Sequence, residues 1–459
     1  MINDLKKFLN GKRILILGFG IEGRSTYAVL NKIVRPEMLG LADRNADVFD
    51  DSQKEKHQVF FGENYLIACL KYDLIIKSPG IPESVLPALN DNSLITSQTN
   101  LFLTAFSKQT IGITGTKGKS TTSSLIYHIL KKYTNDCVLV GNIGKPPFDY
   151  IESLTGETVI VYEMSAHQLV DVKVSPHIAI ILNVFEEHLD HYNSFQHYIQ
   201  AKLNIGAHQT KNDFLILNGD DPILKGETLK EHASALISFS QKAKNGDGAF
   251  VKSDNEVILN FENQVFEYDF SNRSGLPGSH NLNNIMAAVC ACHIIHVPEA
   301  IINEAVNEFK GLEHRLEYVG EFGAVHFYND SISTIPEATI AALKTLGKVN
   351  TLILGGKDRG INYQILIDYI KDNPVENLLF TGPAGKRMME LFENDPGFEG
   401  KTYFVEHFAQ MEPILREISK PGGICLLSPA ASSYDQFKNF EERGRIFKKI
   451  AGNFAFPAS

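Results

Sequence analysis

Short continuous runs of apolar residues recur along the chain, separated by longer segments with helical periodicity. Because these runs are apolar without alternation, they predict strands covered on both faces, as in a parallel sheet between layers of helices. The runs that we interpret as strands are residues 14–17, 74–76, 111–113, 159–161, 178–182, 215–217, 352–354, 378–380 and 424–427. The pattern therefore predicts an α/β fold with mainly parallel sheets.

One segment has a different pattern. Residues 249–270 alternate between apolar and polar positions, with Asp254-Asn255 and Glu262-Asn263 at turn positions, which predicts a small antiparallel excursion.

The length of 459 residues is about three times a typical domain of ~150 residues. Polar residues 96–100 and Gly311 each precede a new run of strand and helix signals. We therefore predict three domains, at residues 1–99, 100–311 and 312–459.

Composition narrows the class of protein. With 43% hydrophobic and 21% charged residues the chain is globular rather than disordered or fibrous. The 44 basic and 54 acidic residues give a net charge of −10, the wrong sign for binding nucleic acid. Five scattered cysteines without CxxC spacing indicate a reducing compartment, and no apolar run approaches the ~18 residues of a membrane span. We expect a cytoplasmic monomer with neither nucleic-acid nor membrane partners.

A first glycine loop, Gly18-Phe-Gly20-Ile-Glu-Gly23, lies between a predicted strand and a helix. Glycines of this spacing let the backbone approach a pyrophosphate at the helix N-terminus. Asp43 follows twenty residues after Gly23, at the end of a second strand, where a carboxylate would bond a ribose. The pattern indicates a Rossmann-like N-terminal domain, but it does not name the nucleotide. A turn that needs glycine only for packing is the alternative.

A second loop, residues 115–121 with the sequence GTKGKST, again joins a strand to a helix. Its N–H groups would form an anion nest, Lys119 would pair with terminal phosphates and Ser120 would ligate Mg²⁺. The loop departs from the strict phosphate-loop pattern, because Ile113 occupies the first glycine position. We predict triphosphate binding in a central ATPase-like domain. The alternative is a lysine-rich turn without a ligand.

Polar residues follow the next two strands. Glu163 ends one strand, and His188 follows another, so both are expected at the same sheet edge as Lys119. One or two carboxylates such as Glu163 suffice for Mg²⁺, which keeps several waters. Ser194 predicts a helix N-cap. Lys202 lies at the edge of that helix's apolar stripe and, by itself, is typical of a surface lysine.

Together these motifs resemble the Mur ligase family. The matching segments are GTKGKST at 115–121, EMSAHQL at 163–169, NVFEEHLDHY at 183–192, AKL at 201–203, HNLNN at 280–284 and EHR at 313–315. The resemblance implies an ATP-dependent amide ligase of peptidoglycan precursor synthesis with three α/β domains, the last also Rossmann-like. Residues 328–331 (YNDS) and 427–444 (LSPAASSYDQFKNFEERG) are similar to the D-glutamate-adding members.

The resemblance also implies roles for individual residues. Those expected at the uridine-linked substrate are Gly20, Ile21, Glu22, Asp43, Arg44, Ser78, Pro79, Gly80, Asn142, Ser165 and Gln168. Those expected at ATP are Gly115, Thr116, Lys117, Gly118, Lys119, Ser120, Thr121, Asn284 (at adenine), Arg315 and Asp330. Those expected around the amino acid are Thr334, Arg359, Ser433, Tyr434 and Phe440. Ser120, Glu163, His188 and Lys202, the last as a carbamate, would surround Mg²⁺. Lys119, Glu163, His188 and Lys202 would form the catalytic set.

One departure concerns the amino-acid site. Ile332 stands where many members have lysine, so a cation expected near the substrate carboxylate is missing. We hypothesise that Arg359 supplies this charge, with Lys357 and Lys438 as alternatives.

The reaction that the resemblance implies uses ATP and Mg²⁺ to activate UDP-N-acetylmuramoyl-L-alanine as an acyl phosphate, which D-glutamate then attacks. His188 is one candidate to accept the amine proton. A family member that adds another amino acid is the first alternative. A phosphate-loop switch that performs no ligation is the second, and a nicotinamide dehydrogenase using the Gly18 loop is the third.

Overall fold

The structure is a computed structural model that describes residues 2–89, 93–186, 192, 194–227, 233–242, 246–273, 275–276, 278–395 and 397–454. Its strands form three largely parallel sheets with helices against them, so the predicted α/β fold is confirmed. The chain divides into two compact units. The first unit contains the first two sheets (residues up to 271 and 279–306), and the second contains the third sheet (residues 272–278 and from 307 on). The three-domain division at residues 99 and 311 stays a prediction.

The first sheet has five parallel strands in the order β3-β2-β1-β4-β5. Its strands are β1 (Ile14–Leu17), β2 (Leu39–Ala42), β3 (Gln58–Phe60), β4 (Leu74–Lys77) and β5 (Leu94–Thr96). The helices of this region are α1 (Ile2–Leu9), α2 (Ile21–Ile33), α3 (Asp51–Lys56) and α4 (Gln98–Phe106). The strand order reverses between β1 and β4, so a ligand crevice is expected at their carboxyl ends.

The central sheet has nine strands in the order β14-β13-β12-β11-β10-β9-β6-β8-β7. These are β6 (Thr110–Thr114), β7 (Cys137–Gly141), β8 (Val159–Glu163), β9 (Ile178–Ile181), β10 (Phe214–Asn218), β11 (Ala235–Ser240), β12 (Gly248–Ser253), β13 (Glu256–Phe261) and β14 (Gln264–Asp269). Its helices are α5 (Lys119–Tyr133), α6 (Ala166–Leu169), α7 (Phe195–Leu203), α8 (Pro222–Glu227), α9 (His280–Ile294) and α10 (Glu299–Glu308). Strands β12 to β14 pair antiparallel, which confirms the predicted excursion.

The third sheet has six strands in the order β15-β16-β20-β17-β18-β19, of which only the β15–β16 pair is antiparallel. They are β15 (Glu317–Phe322), β16 (Val325–Asn329), β17 (Thr351–Gly355), β18 (Asn377–Thr381), β19 (Lys401–Val405) and β20 (Ile424–Leu427). The helices are α11 (Pro336–Leu346), α12 (Gln364–Asp372), α13 (Gly382–Glu393), α14 (Met411–Ile418) and α15 (Phe440–Gly452). Because β20 lies between β16 and β17, the loops that follow these three strands are neighbours.

All nine apolar runs correspond to strands, most of them fully buried. Two of the strands that the apolar runs did not predict, β15 and β19, lie at the two edges of the third sheet and are partly exposed. Among the described residues, every helix is too short or too polar to cross a lipid bilayer.

Candidate active site

The loop between β6 and α5 is an anion-binding turn whose shape requires glycine. Gly118, just before α5, has a φ of 86°, and a Cβ there would lie 2.4 Å from Asn284 Oδ1. A Cβ on Gly115 would lie 2.9 Å from Leu182 Cβ. With Gly118 as N-cap, no side chain caps the first N–H groups of α5. This is the local geometry that suits phosphate oxygens.

Two lysines converge on this loop. Lys119 Nζ donates to the carbonyls of Gly115 (2.8 Å) and Thr116 (3.0 Å), and Lys202 Nζ donates to the same Gly115 carbonyl at 2.9 Å. Lys202 is 1% exposed and lies over the ring of Tyr198, so its interpretation as a surface lysine is wrong. Two ammonium groups beside one glycine turn make this a place where a phosphate group would meet positive charge as well as backbone N–H donors.

Side chains from the central sheet and α7 hold the loop in place. Asn183 accepts from Lys117 N (2.8 Å) and donates to Lys117 O (3.0 Å). The Thr116 hydroxyl lies 3.3 Å from the Tyr198 hydroxyl and accepts from Phe185 N at 3.0 Å. Tyr198 escaped prediction, although its position four residues before Lys202 places both on one helix face. The predicted N-cap Ser194, which orients this helix, is confirmed.

Glu163 and Ser120 lie at the carboxyl edge of the same sheet. Glu163 ends β8, pairs in register with Ile113 of β6 and is 3% exposed. Ser120 is in the first turn of α5 and is half-buried. His188 lies outside the described residues. Within the part of the chain that the structure describes, no three His, Cys, Asp or Glu side chains gather into a complete metal site.

Asn284 connects two helices on the inner side of the phosphate loop. It lies within α9, where Oδ1 accepts from Thr122 Oγ1 (3.2 Å) and Nδ2 donates to Asn281 Oδ1 (2.9 Å). The side chain thus joins α5 to α9 directly behind Gly118. Its contact with adenine stays a prediction.

A cleft of about 470 Å³ opens at the carboxyl ends of β1 and β4. It gathers eight residues predicted at the uridine-linked substrate, namely Gly20, Ile21, Glu22, Asp43, Arg44, Ser78, Pro79 and Gly80. Tyr65 and Ile81 also line it, although no sequence motif singled them out. Ile21 is 79% exposed at the start of α2, so an apolar surface faces solvent at this point.

Asp43 and Ser78 shape the first glycine loop. Asp43 accepts from Phe19 N at 2.6 Å and from Asn45 N at 2.9 Å, while the Ser78 hydroxyl donates to Gly18 O at 2.9 Å. Gly18 has a φ of 91°, and a Cβ there would lie 2.6 Å from Ser78 Oγ. These contacts show why a glycine is needed at position 18 and how the Asp43 carboxylate holds the backbone of the loop. Their contacts with the substrate stay predictions.

Within the first unit, Gln168 of α6 connects the central sheet's helices to α2, the helix that follows the first glycine loop. Its side-chain amide donates to the Glu22 carboxylate of α2, and Gln168 itself forms a capping box with Ser165 at α6. Burial raises the pKa of Glu22, whereas the Gln168 hydrogen bond and the charge of Lys77 act in the opposite direction. Asn142 directly follows β7, the strand next to β8, and its backbone N–H donates to Glu163 O at 3.1 Å.

A second cavity of about 440 Å³ adjoins the first, because Pro79 and Ile81 line both. Its wall includes Lys77, a buried residue that forms an ion pair with Asp171 at 2.9 Å. On the other side it is lined by His167, Val170, Tyr192, His197, Gln200, Ala201 and Asn204. The Tyr192 ring lies 5.2 Å from the rings of both His167 and Tyr198, which connects this cavity to the Thr116 hydroxyl of the phosphate loop.

In the second unit, Asp330 supports the segment that presents Arg315. Arg315 is exposed between His314 (φ 63°) and Leu316 (φ 44°), two conformations that non-glycine residues rarely adopt. Asp330 accepts from Leu316 N (3.0 Å) and from the hydroxyls of Ser333 (2.5 Å) and Ser428 (2.7 Å). Burial raises the pKa of Asp330 to about 6. Contacts of Arg315 and Asp330 with nucleotide stay predictions.

The predicted amino-acid site is built on neighbouring loops of this unit. Lys357 N donates to Ser432 O at 2.8 Å, which joins the loop carrying Arg359 to the loop carrying Ser433 and Tyr434. Asp358 forms a bidentate pair with Arg387 at 2.7 and 2.8 Å. Lys357 and Arg359, on either side of Asp358, are exposed.

The Ser331 hydroxyl donates to Phe440 O at 2.8 Å, which brings the segment of Thr334 beside the start of α15. All five predicted amino-acid-binding residues therefore lie on segments that are hydrogen-bonded to one another in pairs.

Comparisons with known proteins agree with this geometry. Residues 113–292 match the Mur ligase middle domain. Over 98% of its length the chain is 33% identical to UDP-N-acetylmuramoylalanine--D-glutamate ligase from Ruminiclostridium cellulolyticum, 99% of which is covered. It is 37% identical, over 85% of its length, to the enzyme of the same name from Symbiobacterium thermophilum, 86% of which is covered. The chain belongs to the Mur ligase family.

Solved Mur ligases share this fold. UDP-N-acetylmuramate-alanine ligase from Thermotoga maritima matches 95% of the chain and 98% of its own length, with a TM-score of 0.58 and 18% identity. The MurF ligase of the same organism, solved in complex with ADP, matches 96% of the chain and 95% of its own length, with a TM-score of 0.57 and 18% identity. Because Mur ligases are ATP-dependent, membership makes this chain an ATP-using ligase and removes the nicotinamide dehydrogenase alternative.

Proposed function

We propose that the protein joins D-glutamate to the L-alanyl carboxylate of UDP-N-acetylmuramoyl-L-alanine, with conversion of ATP to ADP and phosphate. The observation that supports this most directly is the pair of adjoining cavities in the first unit, one at the Gly18 loop and the other in contact, through Tyr192 and Tyr198, with the phosphate loop. A long substrate with a nucleotide at one end and a carboxylate at the other fits such a path.

The first chemical step transfers the γ-phosphoryl group of ATP to the alanyl carboxylate, and ADP leaves. A free carboxylate is a poor acylating agent, whereas an acyl phosphate has a good leaving group. Positioning and charge neutralisation are the main contributions of a protein to phosphoryl transfer. The N-terminus of α5 and Lys119 supply positive charge at the loop.

In the second step the D-glutamate amine attacks the acyl carbon. The new C–N bond forms as the C–O bond to phosphate breaks, and the amine loses one proton. The residues that we propose to place the amino acid are Thr334, Arg359, Ser433, Tyr434 and Phe440. His188, the candidate proton acceptor, lies outside the described residues.

The donor set beside the loop fits Mg²⁺. The Ser120 hydroxyl and the buried Glu163 carboxylate are hard oxygen ligands, which Mg²⁺ combines with water and substrate phosphates. A bound Mg²⁺ would neutralise charge on the phosphoryl oxygens. Family resemblance adds Lys202 as a carbamate, and its buried position next to the loop is compatible with that role.

The test uses purified protein, ATP, Mg²⁺ and UDP-N-acetylmuramoyl-L-alanine, to which amino acids are added one at a time. Mass spectrometry should detect a product larger by one glutamyl residue with D-glutamate only. A product with a different amino acid would assign the chain to another branch of the family. Phosphate release that is independent of any amino acid would instead indicate a nucleotide switch.

A further inference from the structure

Arg443, in the first turn of α15, is a buried cation that the proposed reaction does not use. Only 1% of the residue is exposed. Its Nε donates to Ser331 Oγ at 3.0 Å and its Nη2 to Ser331 O at 2.7 Å. Its Nη1 donates to Ala431 O at 3.1 Å and, more weakly, to Gly355 O at 3.4 Å. One guanidinium therefore binds the loops that follow β16 and β20 and also the last residue of β17, where the third loop begins.

Each of these loops carries part of the proposed amino-acid site. Thr334 follows Ser331, Arg359 follows Gly355, and Ser433 with Tyr434 follows Ala431. The remaining member, Phe440, begins the helix that contains Arg443 and accepts from the Ser331 hydroxyl through its carbonyl. Every segment of the site is thus at most two hydrogen bonds from Arg443.

The acceptors of these hydrogen bonds indicate that Arg443 positions the loops rather than merely stabilising the fold. All four acceptors are uncharged oxygens, and burial lowers the pKa of Arg443 to about 10, opposed by the charge of Asp435. A desolvated charge is a weak way to gain stability. A planar fork of donors is, however, suited to hold several backbone carbonyls at fixed separations, which a lysine cannot reproduce.

We propose that Arg443 is a positioning residue that sets the spacing of the three loops for binding of the incoming amino acid. The proposal rests on the proposed function. Glutamate carries two carboxylates and one amine, so donors on separate loops must match the separation of these groups. A change in loop spacing should weaken amino-acid binding specifically, while the cavities of the first unit keep their geometry.

The principal test compares wild type with Arg443→Lys in steady-state assays of ADP formation. We expect the KM for D-glutamate to rise at least about tenfold, because displacements of about 1 Å have large effects on positioning. The KM for UDP-N-acetylmuramoyl-L-alanine should stay within about twofold, since its proposed site is in the other unit. Arg416→Lys is the matched control. Arg416 also bonds a backbone carbonyl in this unit, that of Asn453 beyond the end of α15, and the KM values of this variant should not change.

A second variant, Ser331→Ala, keeps the test decisive if Arg443→Lys does not fold. It removes the hydroxyl that links Arg443 to Phe440 O. The KM for D-glutamate should rise about fivefold, as for the loss of one hydrogen bond, with kcat at saturating D-glutamate and the unfolding temperature largely kept.

An unchanged D-glutamate KM in the folded variants, or an equal rise in both KM values, would overturn the proposal. Absence of D-glutamate-dependent ADP formation in wild type would instead refute the proposed function, and the two failures are therefore distinguishable.

Discussion

Single residues decide which charges face the proposed amino-acid site. Ile332 replaces an expected lysine, and its backbone N–H donates to His314 O at 3.1 Å. Asp358 is bound by Arg387, which leaves the neighbouring Lys357 and Arg359 exposed. Arginine can bind a carboxylate through two parallel hydrogen bonds, whereas lysine acts as a point charge. Arg359 is therefore the stronger candidate for the missing cation.

Arg359→Ala should raise the apparent KM for D-glutamate by about tenfold or more, as expected for loss of a charge-assisted hydrogen bond of ~1.5–3 kcal/mol. The KM for ATP should change little. Initial-rate measurements at several D-glutamate concentrations give both values. Lys357→Ala is the matched comparison, and a larger effect of that substitution would transfer the role to Lys357.

At the scale of elements, the strand-to-helix turn before α5 depends on one backbone conformation. Gly118 has a φ of 86°, and Asn284 from α9 fills the space where a Cβ would lie. A left-handed conformation costs an L residue about 1 to 2 kcal/mol, and here the neighbouring amide must also move. The turn is thus specified jointly by α5 and α9.

Gly118→Ala should lower the free energy of unfolding by about 1 to 2 kcal/mol or more and weaken ATP binding. Denaturant titration and calorimetric ATP titration measure the two effects. Gly156→Ala provides the control, because a Cβ there meets open space and no left-handed φ is involved. Equal behaviour of the two variants would contradict this explanation of Gly118.

Asp330 links the end of β16 to the loop after β20 and to Leu316. Its pKa is raised from 3.8 to about 6 by burial, so the folded state binds a proton more tightly than the unfolded state. Between these pH values the folded protein holds more protons, and stability must fall as the pH rises.

Relative to Asp330→Asn, wild type should therefore lose up to about 3 kcal/mol of stability between pH 3.8 and about 6, and no more above that range. Urea unfolding of both proteins across this range measures the difference. A difference that is independent of pH, or that grows with pH, would show that Asp330 does not titrate in this way.

At the scale of the whole molecule, the proposed substrates divide between two compact units. The cavities proposed for the uridine-linked substrate are in the first unit, and the loops proposed for the amino acid are in the second. A ligand that binds only the folded state stabilises the unit to which it binds.

UDP-N-acetylmuramoyl-L-alanine alone should raise the unfolding temperature of the first unit. Scanning calorimetry should detect this shift, and hydrogen exchange should show protection near residues 18–23 and 78–81. Peptides from 355–360 and 428–434 serve as the internal control and should exchange as before. Protection confined to those control peptides would place the substrate in the wrong unit.

The sequence by itself determined the fold class and the local chemistry. Continuous apolar runs predicted nine buried strands, and alternation at 249–270 predicted the antiparallel part, because burial on one or two faces leaves different patterns. Both glycine loops were identified because each turn is formed by residues that are contiguous in the chain. The cleft at Gly18 gathered eight of the predicted residues for the same reason: they follow the ends of adjacent strands.

Only the tertiary structure decided the surroundings of side chains that lie outside a contiguous sequence motif. Periodicity placed Lys202 at a stripe edge, yet its ammonium is buried against Gly115 O, an acceptor 87 residues away in the chain. The sequence pattern likewise did not predict the contact of Tyr198 with Thr116 or the two hydrogen bonds between Asn183 and Lys117. Nor did it predict that Arg443 joins three loops. Burial and hydrogen bonding of such residues depend on partners distant in sequence, and no local pattern records those partners.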